Sequence, residues 1–163
     1  EACPDVSMEV LIPDFKGDHQ LIQHIIDAAP DVISHNLETV ERLSRSVRVF
    51  ADYHRSLDVL RYVAEHSDIR SKSGIMLGLG ESEADILQCM DDLLEVNCQV
   101  FTLGQYLQPT HRHLPVQSYI PPHDFERYRE IAIEKGFRFV ESAPLVRSSY
   151  HAEKHTATHT KNL

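Results

Sequence analysis

Five short polar clusters in this 163-residue chain hold side chains able to bind a ligand or do chemistry. They are Pro13-Asp14-Phe15, His35-Asn36-Leu37-Glu38-Thr39, Gly78-Leu79-Gly80-Glu81, Gly104-Gln105-Tyr106-Leu107-Gln108-Pro109 and Arg147-Ser148-Ser149-Tyr150. Asn36 supplies an amide, and Glu38 and Glu81 supply carboxylates, a set suited to ribose hydroxyls or an ammonium group. Asn36 also stands where a helix N-cap would stand, so capping is the competing account of it. Gly78-Leu79-Gly80 imitates a phosphate loop, but Glu83 replaces the third glycine of G-x-G-x-x-G. Ser82 reads as an N-cap with Asp85 three residues on, and Glu81, Glu83 and Asp85 crowd the first turn. Carboxylates there satisfy the helix dipole and repel a pyrophosphate, which argues against a dinucleotide. A ligand with hydroxyls and a positive centre fits better.

Other reactive types are explained more simply. Lys72 lies in or beside a strand, where a Schiff-base lysine of an aldolase-type barrel could sit, but lysines at strand starts are usually solvated. His151, His155 and His159 recur every four residues in a polar tail that reads as frayed rather than as a metal site. Cys3, Cys89 and Cys98 form no C-x-x-C pair and no zinc spacing, and read as reduced, packed thiols.

The elements that would position the five clusters follow from periodicity. Short apolar runs at Met8–Ile12, Val32–Ser34, Gly74–Leu77, Val100–Leu103 and Phe137–Val140 read as strands. Between them lie helical stripes: Leu21, Ile22, Ile25, Ile26 and Ala29; Leu57, Leu60 and Ala64; Ile86, Leu87, Met90, Leu93 and Leu94; and, more weakly, Phe125, Tyr128 and Ala132. Strand and helix in alternation imply βαβ units and a parallel α/β sheet, either open or an incomplete (partial) βα barrel. Each cluster then falls just after a strand, at the carboxyl ends where such sheets bind ligands. Residues 1–150 are expected to form this unit, and the polar segment 151–163 a disordered tail. The formal charge of -9, without a Lys/Arg run, argues against nucleic acid and anionic membranes as partners. No apolar run approaches the roughly 20 residues that cross a bilayer.

Gly74-Ile75-Met76-Leu77-Gly78-Leu79-Gly80-Glu81 resembles the G-x-I-x-G-x-x-E motif of radical S-adenosylmethionine enzymes, with Met76 in the Ile position. Together with the Pro13, His35 and Gly104 clusters and Val146-Arg147-Ser148-Ser149-Tyr150, it is similar in order and spacing to the lipoyl synthases, from about Met8 to Ala152. The resemblance implies a partial barrel of the radical S-adenosylmethionine type and a sulfurtransferase reaction. A reduced 4Fe–4S cluster cleaves S-adenosylmethionine, and the resulting radical takes hydrogens from an octanoyl chain on a carrier lysine. A second 4Fe–4S cluster gives two sulfurs, at carbons 6 and 8. Implied partners are the octanoylated lipoyl-carrier domains of 2-oxoacid dehydrogenases and the glycine cleavage H protein, with a reductant such as ferredoxin or flavodoxin. The implied location is cytoplasmic, or mitochondrial in a eukaryote.

Carried over by the resemblance, Asn36, Glu38, Gly74, Met76, Gly78 and Glu81 are S-adenosylmethionine contacts, and the backbone near Leu107 meets the adenine. Ser149, ahead of Ser148, is the oxygen ligand of the auxiliary cluster, a hard and replaceable donor among thiolates. The family's C-x3-C-x2-C and C-x4-C-x5-C motifs are absent from these 163 residues. The chain is therefore expected to be a portion of the enzyme, inactive alone. A biotin synthase-like sulfur inserter and a non-catalytic module that binds an acyl carrier are the competing readings.

Overall fold

In the computed structural model the described residues are 6–147. They form five strands in one all-parallel sheet of order β1-β2-β3-β4-β5. The strands are β1 (Glu9–Leu11), β2 (Val32–Ser34), β3 (Arg70–Leu77), β4 (Val100–Gln105) and β5 (Phe139–Ser142). Helix α1 (His19–Asp27) links β1 to β2, α2 (Glu41–Val47) and α3 (Tyr53–His66) link β2 to β3, α4 (Glu83–Glu95) precedes β4, and α5 (Pro122–Lys135) precedes β5. Each strand neighbours the next in sequence, so the chain winds in one direction and its helices gather on one face.

Alternation along the strands sorts the two faces. Ile33, Ile75, Leu77, Phe101, Leu103 and Val140 point into two apolar clusters shared with the helices. Helix α3 joins the clusters, giving Leu57 and Leu60 to one and Val59 and Val63 to the other. The opposite face carries Glu9, Leu11, Lys72, Gly74, Met76, Thr102 and Gly104. Val32, Lys72 and Val100 on it are all 0% exposed, although the helix-packed clusters contain none of the three. Their burial shows that this face too is covered, apart from the helix-packed clusters. The arrangement is α/β and compatible with a partial parallel βα barrel.

Compared with the sequence reading, β1 is one residue shorter at each end, and β4 and β5 each run on two residues, to Gln105 and Ser142. Three further differences have a visible cause. β3 starts at Arg70, four residues before the apolar run, because Arg70-Ser71-Lys72-Ser73 has polar residues on both faces. Ser71 Oγ donates to the Asn97 carbonyl, and Ser73 Oγ accepts from the Leu37 amide. β5 starts two residues late, since Gly136 ends α5 at φ 121° and Phe137 packs against Phe101 from the turn. Helix α2 was not foreseen; it is seven residues long and only Ser44 is buried in it.

Candidate functional site

The carboxyl ends of the strands enclose a cavity of about 260 Å³. Leu11 from β1, Gly74, Ile75 and Met76 from β3, and Thr102, Gly104 and Gln105 from β4 line it. Asn36 and Glu38 enter from the segment after β2, Leu107 from the segment after β4, and Val146 and Arg147 from beyond β5. Five of the expected site residues thus meet here: Asn36, Glu38, Gly74, Met76 and Leu107.

Glu38 owes its place to its backbone. Its N–H donates to the Gly74 carbonyl, and its own carbonyl accepts from the Met76 N–H, both at 2.9 Å. The residue sits at φ 65°, a left-handed conformation that costs about 1–2 kcal/mol for a side chain other than glycine. The two hydrogen bonds hold it there, and its carboxylate reaches the cavity wall. Asn36 Nδ2 donates to Glu38 Oε1 at 3.2 Å, while Asn36 Oδ1 is buried and accepts from no side chain or backbone group. The capping account of Asn36 fails: the next helix, α2, begins at Glu41 with Val40 as its N-cap residue.

Gly74 is required by packing. A Cβ there would overlap Thr102 Oγ1 on the neighbouring strand. Gly78 lies at φ 105°, and a side chain there would strike Gln105 and the Ser118 carbonyl. Gln105 is 5% exposed and fully used. Its Nε2 donates to the carbonyls of Tyr106 (3.0 Å) and Ser118 (3.1 Å), and its Oε1 accepts from the Ile120 N–H (2.9 Å). It therefore pins the loop between β4 and α5 beside the cavity.

Gly78 and Glu81 are not brought to the cavity wall. The Glu81 carboxylate turns back on its own loop, accepting from the N–H groups of Gly78 and Leu79, the latter at 2.9 Å. At the start of α4 the capping box of Ser82 and Asp85 is formed. Arg42 pairs with Asp85 at 2.7 Å and holds that carboxyl well below the usual range, together with bonds from Ser82. Arg127 pairs with Glu83.

The solvated Lys72 of the sequence reading is corrected. The side chain is wholly buried, with Nζ 2.9 and 3.0 Å from the Glu9 carboxylate oxygens. A paired ammonium has no lone pair for a carbonyl, which removes the ground for a Schiff base. Thr102 was not singled out from sequence, and Val146 entered only as the first residue of the Val146–Tyr150 motif. Thr102 left one signal, a polar residue two positions before Gly104 on the same face of β4.

Ser149, Ser148, Cys3 and the three tail histidines lie outside the described residues. Among the described residues no group of three His, Cys, Asp or Glu side chains could hold a metal ion. Cys89 and Cys98 are packed in the core, and burial pushes each thiol up to about 12. Protonated and enclosed, they do not suit an iron–sulfur cluster. Among the described residues no helix is long and apolar enough to cross a membrane.

No family profile matches the chain. Individual relatives do. The lipoyl synthase of Bacteroides fragilis strain YCH46 is 57% identical over 158 residues, covering 97% of this chain and 54% of its own length. That of Treponema denticola is 60% identical over 152 residues, 93% of this chain and 52% of its own. The mitochondrial lipoyl synthase of Nematostella vectensis is 55% identical over 152 residues, again 93% and 52%. The chain is homologous to the lipoyl synthases. It spans about half the length of the curated relatives it matches. Among solved structures, the Bacillus subtilis HMG-CoA lyase aligns over 94% of this chain and 64% of its own, at 12% identity and a TM-score of 0.46.

Proposed function

We propose that the chain is the carboxyl-terminal part of a lipoyl synthase and that its strand-end cavity receives S-adenosylmethionine. The activity of the whole enzyme is the insertion of two sulfurs into an octanoyl group held on a carrier lysine. One observation supports this most: five residues from three separate segments, matched to a S-adenosylmethionine-binding pattern, converge on one cavity. The chemistry of the wall suits the ligand. The Asn36 amide oxygen and the Glu38 carboxylate accept from ribose hydroxyls or an ammonium, and the Leu107 segment offers backbone to the adenine. Met76, Leu11 and Val146 add apolar surface for the ligand's carbon frame. In this reading Gly78 and Glu81 shape the loop from behind rather than touch the ligand.

The two 4Fe–4S clusters belong to cysteine motifs that these 163 residues lack, and Ser149 is the one ligand the chain would add, to the auxiliary cluster. The carrier domains of 2-oxoacid dehydrogenases and the glycine cleavage H protein, and a ferredoxin or flavodoxin, are the partners of the intact enzyme. Its place is the bacterial cytoplasm or, in a eukaryote, the mitochondrion.

The test is S-adenosylmethionine binding by Asn36→Ala and Glu38→Gln variants. Each is expected to bind about tenfold more weakly, as for a lost hydrogen bond with charge character of about 1.5 kcal/mol, with little change in melting temperature. Unchanged binding with a lowered melting temperature would contradict the reading.

A further inference from the structure

Behind Asn36 and Glu38 lies a second concavity, of about 310 Å³, that shares Leu11, Asn36 and Glu38 with the first. His35 is among the residues that line it, and it is 1% exposed. Its Nδ1 lies 2.9 Å from the Ile12 carbonyl oxygen, which can only accept. Nδ1 therefore carries the proton and Nε2 keeps its lone pair. That Nε2 is buried and receives no hydrogen bond from the protein. The same holds for Asn36 Oδ1. Arg48, the cation of this wall, directs Nη1 to the carbonyls of Asn36 (3.0 Å) and Leu37 (3.3 Å). Two buried acceptors without donors, beside a carboxylate, make a wall that calls for a ligand rich in donors. A buried acceptor left unmatched is costly, and a bound donor would return that cost.

We propose that His35 is a further ligand-binding residue of the strand-end site, accepting through Nε2 a hydroxyl or ammonium donor of the S-adenosylmethionine that Asn36 and Glu38 receive. The inference rests on the reading of the cavity given above. The charged groups around the ring suit this role. Burial, with Arg48 and Arg55, keeps the ring neutral against the opposing pull of the Ile12 carbonyl and Asp14, so the acceptor survives at neutral pH.

The experiment uses the 163-residue chain and long-range ¹⁵N–¹H NMR of its histidine rings, titrated with S-adenosylmethionine, 5′-deoxyadenosine and methionine. The His35 Nε2 resonance is expected to move toward the hydrogen-bonded position with S-adenosylmethionine. A response to 5′-deoxyadenosine assigns the donor to a ribose hydroxyl; a response to methionine assigns it to the ammonium. His35→Asn keeps a donor near the Nδ1 position and has no acceptor at Nε2. It is expected to bind S-adenosylmethionine about threefold to tenfold more weakly. His35→Gln places a polar group near Nε2 and is expected to retain more of the affinity. Amide shifts at Asn36 and Gly74 without movement of His35 Nε2, with full affinity in His35→Asn, would overturn the proposal alone. If no amide around the cavity responds to S-adenosylmethionine, the reading of the cavity fails and this inference with it.

Discussion

At the residue scale, the site is made by what side chains leave out as much as by what they offer. Gly74 brings β3 close to Thr102 on β4, and any Cβ there would meet the threonine hydroxyl. Gly74→Ala is expected to destabilise by about 1–3 kcal/mol through overpacking. Adding Thr102→Ala should recover part of that loss, since the contact itself is removed. Urea unfolding of both singles and the double closes the cycle; a Gly74→Ala protein as stable as wild type would sink the packing account. The sequence already marked Asn36 and Glu38, as polar residues just past an apolar run, and Gly74 through the resemblance to G-x-I-x-G-x-x-E. It did not show that Glu81 would spend its carboxylate on its own loop. That outcome depends on the turn geometry at Gly78, which spacing does not reveal.

At the element scale, the inner face of the sheet is tied by charge. The Glu9–Lys72 pair spans β1 and β3 with β2 between them, and Lys72 is wholly buried. Removing one partner of a buried pair leaves an uncompensated charge, whereas replacing both by apolar residues is often neutral. Glu9→Gln is expected to cost about 3 kcal/mol, and Glu9→Leu with Lys72→Met to recover most of it. Equal stability of the single and double variants would show that the pair does not hold β1 in place. The same pair explains why β3 was read too short. Its first four residues lack an apolar signature because charge, not hydrophobic contact, fills the inner side at that level. The other strands and four of the five longer helices were legible, since each carries an apolar stripe against the shared core. Helix α2 has no such stripe.

At the scale of the whole molecule, acid stability reports on the neutral histidine behind the site. Burial first, then Arg48 and Arg55, lower the His35 pKa below its usual 6.5. The unfolded chain then takes up the proton before the folded one does. Stability from this source is full above about pH 6.5 and is lost as pH falls through the lowered folded value. Asp14 adds a second step. Its burial works the other way but is outweighed by the Lys16 N–H and by Arg55, so its folded value lies below 3.8 and its share is lost at still lower pH. Unfolding free energy against pH is expected to fall in two stages, and His35→Asn to flatten the upper one. A wild-type curve level between pH 7 and 5 would contradict the buried neutral ring.

The role proposed for this chain is to form the S-adenosylmethionine-binding part of a lipoyl synthase. A chimera joins it to the remainder of the Bacteroides fragilis lipoyl synthase, in place of the segment it matches. The chimera is given reconstituted clusters, S-adenosylmethionine, reductant and an octanoylated H protein, and mass spectrometry reads the carrier. The expected product is a carrier that has gained two sulfurs, and a Ser149→Ala chimera is expected still to cleave S-adenosylmethionine but to insert sulfur poorly. A folded chimera with both clusters that binds no S-adenosylmethionine and leaves the octanoyl group untouched would contradict it.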